Sequence, residues 1–163
     1  MKIREVNLQD IDKVAVLISE FRVELKSFKG IKSTLDIEGA KDEFKGYMDS
    51  KFPIYAAEDE HGNLEGYIVC RVDGEVVWAE SLYVSKDFRR IGIASLLYKK
   101  AEEIAENLGG STVYNWVHPN NDKMISFLAK RGYDVLNLIE IRKKYKDEKL
   151  TTKINIDKHN YNY

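Results

Sequence analysis

From Val76 to Val84 the chain carries a strand-like run, VVWAESLYV, whose tail alternates. Glu80, Leu82 and Val84 fall on one face, and Ala79, Ser81 and Tyr83 on the other. After a break at Ser85 to Gly92 the period lengthens. Ile93, Leu96, Leu97, Ala101, Ile104, Ala105 and Leu108 make one apolar stripe, which predicts a helix from Ile93 to about Leu108 with Gly109 as its stop. Upstream, Lys2 to Val6 predicts a strand. Asp10 predicts an N-cap for a helix bearing Ile11, Val14, Ala15, Ile18, Phe21 and Leu25. A break at Ser27 to Ser33 precedes a second helix, from about Leu35 to Ser50, anchored by Phe44, Tyr47 and Met48. Pro53 to Glu58 and Leu64 to Val72 predict strands joined by the turn Asp59 to Asn63. Asp73-Gly74 then turns the chain into the Val76 strand.

Downstream, Thr112 to Val117 predicts a strand. The helix between it and the Val76 strand makes the two parallel, as in a right-handed crossover. His118 to Asn121 end it, and Asn120 or Asn121 caps a helix of about Lys123 to Lys130 that stops at Gly132. Tyr133 to Tyr145 alternates at length, Lys146 to Lys149 is a turn, and Thr151 to Ile156 is a last strand.

The strand–loop–helix junction at the centre has chemistry of its own. A helix start exposes unpaired N–H groups and a partial positive charge. Gly92 lets a ligand approach the backbone, and Arg89 and Arg90 add two cations at the rim. Together they suit an anion such as a diphosphate; the plain alternative is a solvated basic loop. No Gly-Lys-Ser/Thr follows, so it is not a P-loop, and a single glycine does not make a dinucleotide fingerprint.

Arg89-Arg90-Ile91-Gly92-Ile93-Ala94 fits the pattern Arg/Gln-x-x-Gly-x-Gly/Ala, following Leu82-Tyr83-Val84 and opening an amphipathic helix. This resembles the acetyl-CoA-binding motif of the GNAT N-acetyltransferases. Asn121, eleven residues before Gly132-Tyr133, resembles a second block of that family. The resemblance covers nearly the whole chain. It implies an α/β (α+β) fold with a mixed, mostly antiparallel sheet of six to seven strands and helices on both faces. A parallel strand pair splays around the acyl-CoA site, with Leu82, Tyr83, Val84, the Arg89 to Ala94 loop and Asn121 binding acetyl-CoA. The two N-terminal helices would border the acceptor, with Phe28, Ile31, Phe44 and Tyr47 either touching it or lying in the core.

Direct acetyl transfer to an amine needs a proton acceptor, a donor for the carbonyl oxygen and a departing thiolate. Glu80 is the candidate base, at a place where several family members carry a carboxylate; the alternative is a solvated or lysine-paired glutamate. The Val84 N–H is the oxyanion donor implied by the resemblance. The tyrosine common in the family four residues before the second block's glycine is Leu128 here, a departure that leaves the acid unassigned. Tyr83, Tyr133 and His118 are nearby substitutes for it, of which Tyr83 should face away from Glu80. His118, at the end of the fifth strand, is a second catalytic candidate, with a capping or surface role as its alternative.

Composition adds bounds. The 163 residues suggest one domain, 1–163, with a polar tail from about 157. A net charge of −1 argues against nucleic acid as a partner. Cys70 has no second cysteine to pair with and lies in a strand-like run, which predicts an inert buried thiol and a reducing compartment. No apolar run is long enough to span a bilayer, so the expectation is a cytoplasmic protein without membrane or metal. A homodimer through the C-terminal strands is a further expectation. The leading function is acetylation of a small-molecule primary amine. A protein N-terminus or lysine as acceptor is the alternative, and an acyl-CoA-binding sensor module is the non-enzymatic one.

Overall fold

Apolar residues spaced by two become strands and those spaced by three and four become helices. In a computed structural model describing residues 1–163, the order is β1 (Lys2–Glu5), α1 (Ile11–Ser27), α2 (Ile37–Asp49), β2 (Ile54–Glu58), β3 (Leu64–Asp73), β4 (Val76–Val84), α3 (Ile93–Asn107), β5 (Val113–Asn115), α4 (Asp122–Ala129), β6 (Lys153–Ile156) and β7 (His159–Asn162). The chain divides into two compact units, Met1–Phe127 and Leu128–Tyr163.

In the first unit five strands form one sheet in the order β1-β2-β3-β4-β5. The first four are antiparallel neighbours and β5 lies parallel to β4, as the helical crossover requires. One sheet face packs on α1 and α2 through Val14, Ile18, Phe44, Tyr67, Val69 and Tyr83. Phe44 is wholly buried there, so it is a core residue rather than an acceptor contact. Burying a side chain of that size contributes about 1.5–3 kcal/mol. The other face packs on α3. A Cβ at Gly66 would lie 3.3 Å from Leu97 of that helix and 2.8 Å from the Tyr83 carbonyl, so only glycine lets the layers close here.

Capping differs from expectation at α1. Asp10 makes no cap bond to that helix. Its carboxylate instead accepts from the Asn7 N–H in a capping box over a 3-10 turn, Leu8–Asp10, and takes both nitrogens of Arg4 at 2.7 and 2.9 Å. α2 is capped by Asp36, which accepts from the Gly39 N–H at 2.9 Å.

In the second unit α4 ends in a turn through Gly132, whose φ of 85° suits glycine. The expected long strand from Tyr133 to Tyr145 does not form; residues 133–152 have no ladder, and β6 and β7 pair only with each other. The main sheet therefore has five strands, not six or seven. The polar end is a strand, His159–Asn162, paired in register with Lys153–Ile156. No helix is long and apolar enough to cross a membrane.

Candidate active site

A β-bulge decides where Glu80 points. Val69 of β3 faces Ser81, but the next residue, Cys70, faces Ala79, so Glu80 is an extra residue in β4. The bulge resets the pleat. Ala79 lies opposite Cys70 on the α3 face, whereas Ser81 bonds Tyr67 at 2.7 Å and Tyr83 meets Phe21 of α1 at 5.9 Å. Glu80 Oε2 lies 3.7 Å from Nε of Arg71, which shares a face with Tyr67 and Val69 by alternation. The expected faces are thus corrected: Glu80 goes with Ser81 and Tyr83, not with Leu82 and Val84. Tyr83 is nevertheless buried, and burial pushes its hydroxyl up to about 12. The Cys70 thiol is buried too, and desolvation also pushes it up to about 12.

β4 and β5 pair over three residues only: Val77 with Val113, Trp78 with Tyr114 and Ala79 with Asn115. Beyond that the strands part. A cleft opens at the fork, with Glu80 and Leu82 of β4, Trp116 and His118 beyond β5, Phe21 and Leu25 of α1, and Asn121 and Met124 in its walls. The Ser85 N–H turns back to the Glu65 carbonyl beside β3. By strand alternation the Val84 N–H points the other way, towards the side that β5 has left.

His118 stacks on Phe28 at 5.6 Å, and its Nδ1 accepts the Asn120 N–H at 3.2 Å. The neutral ring therefore carries its proton on Nε2. Burial, with Lys29 adding a like charge, holds its pKa below the usual histidine range, so the ring is neutral at pH 7. Asn121 caps α4 by accepting the Met124 N–H at 3.1 Å. Of the other residues considered for the acceptor side, Tyr47 bonds Glu43 and Arg22, and Ile31 is half exposed.

The glycine loop has two left-handed residues, Arg90 at φ 69° and Gly92 at φ 93°. A Cβ on Gly92 would meet nothing within 4 Å, so the glycine serves its backbone angle and leaves open space in front. α3 starts there with no side-chain cap and no acid in its first turn, unlike α2 and α4. Arg90 and Ile91 are exposed, Ala94 is half-buried, and Ile93 anchors the helix in the core. Arg89 turns inward. Its Nε donates to the Val84 carbonyl at 2.8 Å and its two terminal nitrogens reach both oxygens of Glu24 on α1.

Sequence reasoning missed a cluster beside Glu80. Arg71 lies over the rings of Trp78 at 4.9 Å and Trp116 at 4.6 Å, and the two indoles are 4.8 Å apart. Arg71 and Trp78 sit directly opposite across β3 and β4. A cation and an aromatic flanking a two-residue turn at matching positions was the signal available in the sequence.

A profile of the Acetyltransferase (GNAT) family matches residues 21–133. The "Putative phosphinothricin acetyltransferase YwnH" of Bacillus subtilis (strain 168) is 30% identical over 95 residues, which is 55% of this chain and 58% of that protein. The chain thus spans little more than half of that relative. Among solved structures, that of a probable acetyltransferase superposes with a TM-score of 0.69 at 19% identity, over 91% of this chain and 100% of that one. The AAC(6')-Iy structure, in complex with a bisubstrate analog, CoA-S-monomethyl-acetylneamine, superposes with a TM-score of 0.64 at 17% identity, over 88% of this chain and 98% of that one. With the parallel pair parting beside an uncapped helix start, and a family profile spanning more than half of its length, the chain belongs to the GNAT acetyltransferase family.

Proposed function

We propose that this protein transfers the acetyl group of acetyl-CoA to a primary amine of a small molecule, by direct attack in a ternary complex. One observation carries the reading: β4 and β5 part beyond Ala79 and Asn115, and the bulged Glu80 stands at the fork. The free amides of the Arg89 to Ala94 loop, the α3 N-terminus and the Arg90 cation suit a diphosphate. The edge of β4 that β5 leaves suits an extended amide-bearing arm, which pairs with it as an added strand would. Acetyl-CoA supplies an activated thioester.

The amine attacks the thioester carbon, a C–N bond forms and the C–S bond breaks. The surplus amine proton goes to the Glu80 carboxylate, directly or through water, and the thiol sulfur takes a proton as it leaves. The Val84 N–H faces the developing oxyanion. His118 is the weaker candidate for the base, because its Nδ1 already accepts the Asn120 N–H. Leu128, where a tyrosine is common in the family, is buried and supplies no acid, and a thiol of pKa about 8.5 leaves without a strong one. The names of the Bacillus relative and of the analog in the AAC(6')-Iy structure both point to small-molecule acceptors, which supports the acceptor class.

Calorimetric titration with acetyl-CoA tests the reading. Binding by wild type that Gly92→Glu weakens at least about 100-fold is expected, since the new carboxylate enters the anion's space at the cost of a like charge. A folded wild type that binds no acetyl-CoA would overturn it.

A further inference from the structure

Four other arginines close on a carboxylate with two nitrogens: Arg4 on Asp10, Arg22 on Glu43, Arg89 on Glu24 and Arg142 on Glu148. Arg71 does not. Its Nε and the Glu80 Oε2 are both buried, stand 3.7 Å apart, and neither makes a hydrogen bond. A buried donor and a buried acceptor left unmade side by side are costly and call for an explanation, and a ligand that bonds both groups supplies one. The guanidinium lies 4.9 Å from the Trp78 ring centroid and 4.6 Å from that of Trp116, contacts that favour its place beside Glu80. Two members of the cluster, Glu80 and Trp116, line the cleft at the fork.

We propose that Arg71 and Glu80 together read the acceptor, and that the acceptor is an α-amino acid or close analogue whose amine meets Glu80 and whose carboxylate meets Arg71. The proposal rests on the acyltransferase reading above. An N–Cα–C–O unit sets its nitrogen and oxygen roughly 3 Å apart, which suits a donor and an acceptor held 3.7 Å apart. The amine meets the Glu80 carboxylate, the group assigned to take its proton, and the acceptor's carboxylate accepts from the Arg71 guanidinium, since the two side chains as wholes keep 23% and 26% of their surface open. Trp116, 64% exposed, offers its remaining surface to the acceptor's side chain. Arg71 is a specificity residue here, because it touches the acceptor away from the reacting atoms.

The test pairs each common amino acid with its amide and with its decarboxylated amine, and measures acetyl transfer by wild type, Arg71→Met and Arg71→Lys. Wild type is expected to favour the carboxylate-bearing member by about 10- to 150-fold in kcat/KM, the worth of a charged hydrogen-bonded contact. Arg71→Met should collapse that ratio towards one, mainly through KM, and Arg71→Lys should restore part of it. Equal or better turnover of the decarboxylated amines by wild type overturns the proposal, as does a preference that survives Arg71→Met. The same compounds are titrated calorimetrically into the protein saturated with coenzyme A. Binding of amino acids that depends on Arg71, without turnover of any amine, upholds the recognition and overturns the transfer reading. If the amino acids show neither binding nor turnover, the proposal is overturned, while binding of coenzyme A in that titration keeps the cosubstrate site standing.

Discussion

At the scale of residues, the glutamate was legible and its direction was not. Strict alternation puts Glu80 with Leu82 and Val84, and a bulge moves it to the opposite face. A bulge leaves no mark on a run such as WAESLYV, because it depends on how β3 registers against β4. If Glu80 accepts the amine proton, Glu80→Gln keeps the shape and removes the base. Its kcat should fall by about 10²- to 10⁴-fold with acetyl-CoA affinity retained, measured by steady-state kinetics beside calorimetry. A kcat within a few-fold of wild type would make Glu80 a binding group only. His118 gives a second residue-scale prediction, in pH. Its folded pKa is depressed, so below about 6.5 the unfolded chain takes up a proton that the folded ring refuses. This contribution is complete above the ordinary histidine value and is lost as pH falls through it. His118→Asn should flatten the acid side of a stability–pH curve from urea melts; an unchanged slope would mean that the ring titrates alike in both states.

At the scale of elements, the strands, helices and glycine loop were readable because each carries its own period or its own stop. What joins them was less readable, since pairing over long separations leaves no local trace. Arg89 shows the difference. Read locally, it is one of two rim cations; in the fold it ties the loop to α1 through Glu24, 65 residues away. The same guanidinium lies over the Tyr83 ring at 5.1 Å and bonds the last carbonyl of β4. The pair is about four-fifths buried, at 23% and 19% side-chain exposure, so it should contribute more than a surface ion pair. A double-mutant cycle with Arg89→Met and Glu24→Gln should give a coupling of about 0.5–3 kcal/mol in stability. Acetyl-CoA affinity should fall in either single variant, although Glu24 is on another element, because the loop loses its anchor. Coupling near zero, or an affinity loss confined to Arg89→Met, would return Arg89 to the role of a simple phosphate cation.

At the scale of the whole molecule, the two compact units differ in what holds them. Met1–Phe127 has a five-stranded sheet between helical layers and contains the cleft, the glycine loop and the Arg71 cluster. Leu128–Tyr163 has the end of one helix and a two-stranded hairpin, closed at its mouth by paired bonds between Thr152 and Tyr163. Within the second unit, Tyr133 to Tyr145 alternates as a strand should but has no ladder, and Val135, Leu136, Leu138 and Ile141 are 67–86% exposed. Strand-like sequence without a partner strand keeps its amides open to water, and open amides exchange early. Hydrogen exchange followed by mass spectrometry should therefore show 134–151 exchanging within seconds while β3, β4 and α3 are protected towards the limit set by global unfolding. The exception is the Arg142 turn, where Glu148 holds the guanidinium and the Tyr145 N–H and its own N–H donates to the Tyr145 carbonyl, and where slower exchange of those two amides is expected. Run at two protein concentrations, the same experiment addresses the expected homodimer. Protection of 133–145 that grows with concentration would mean that a second copy pairs with this edge. Protection at every concentration would overturn the unladdered description of the segment.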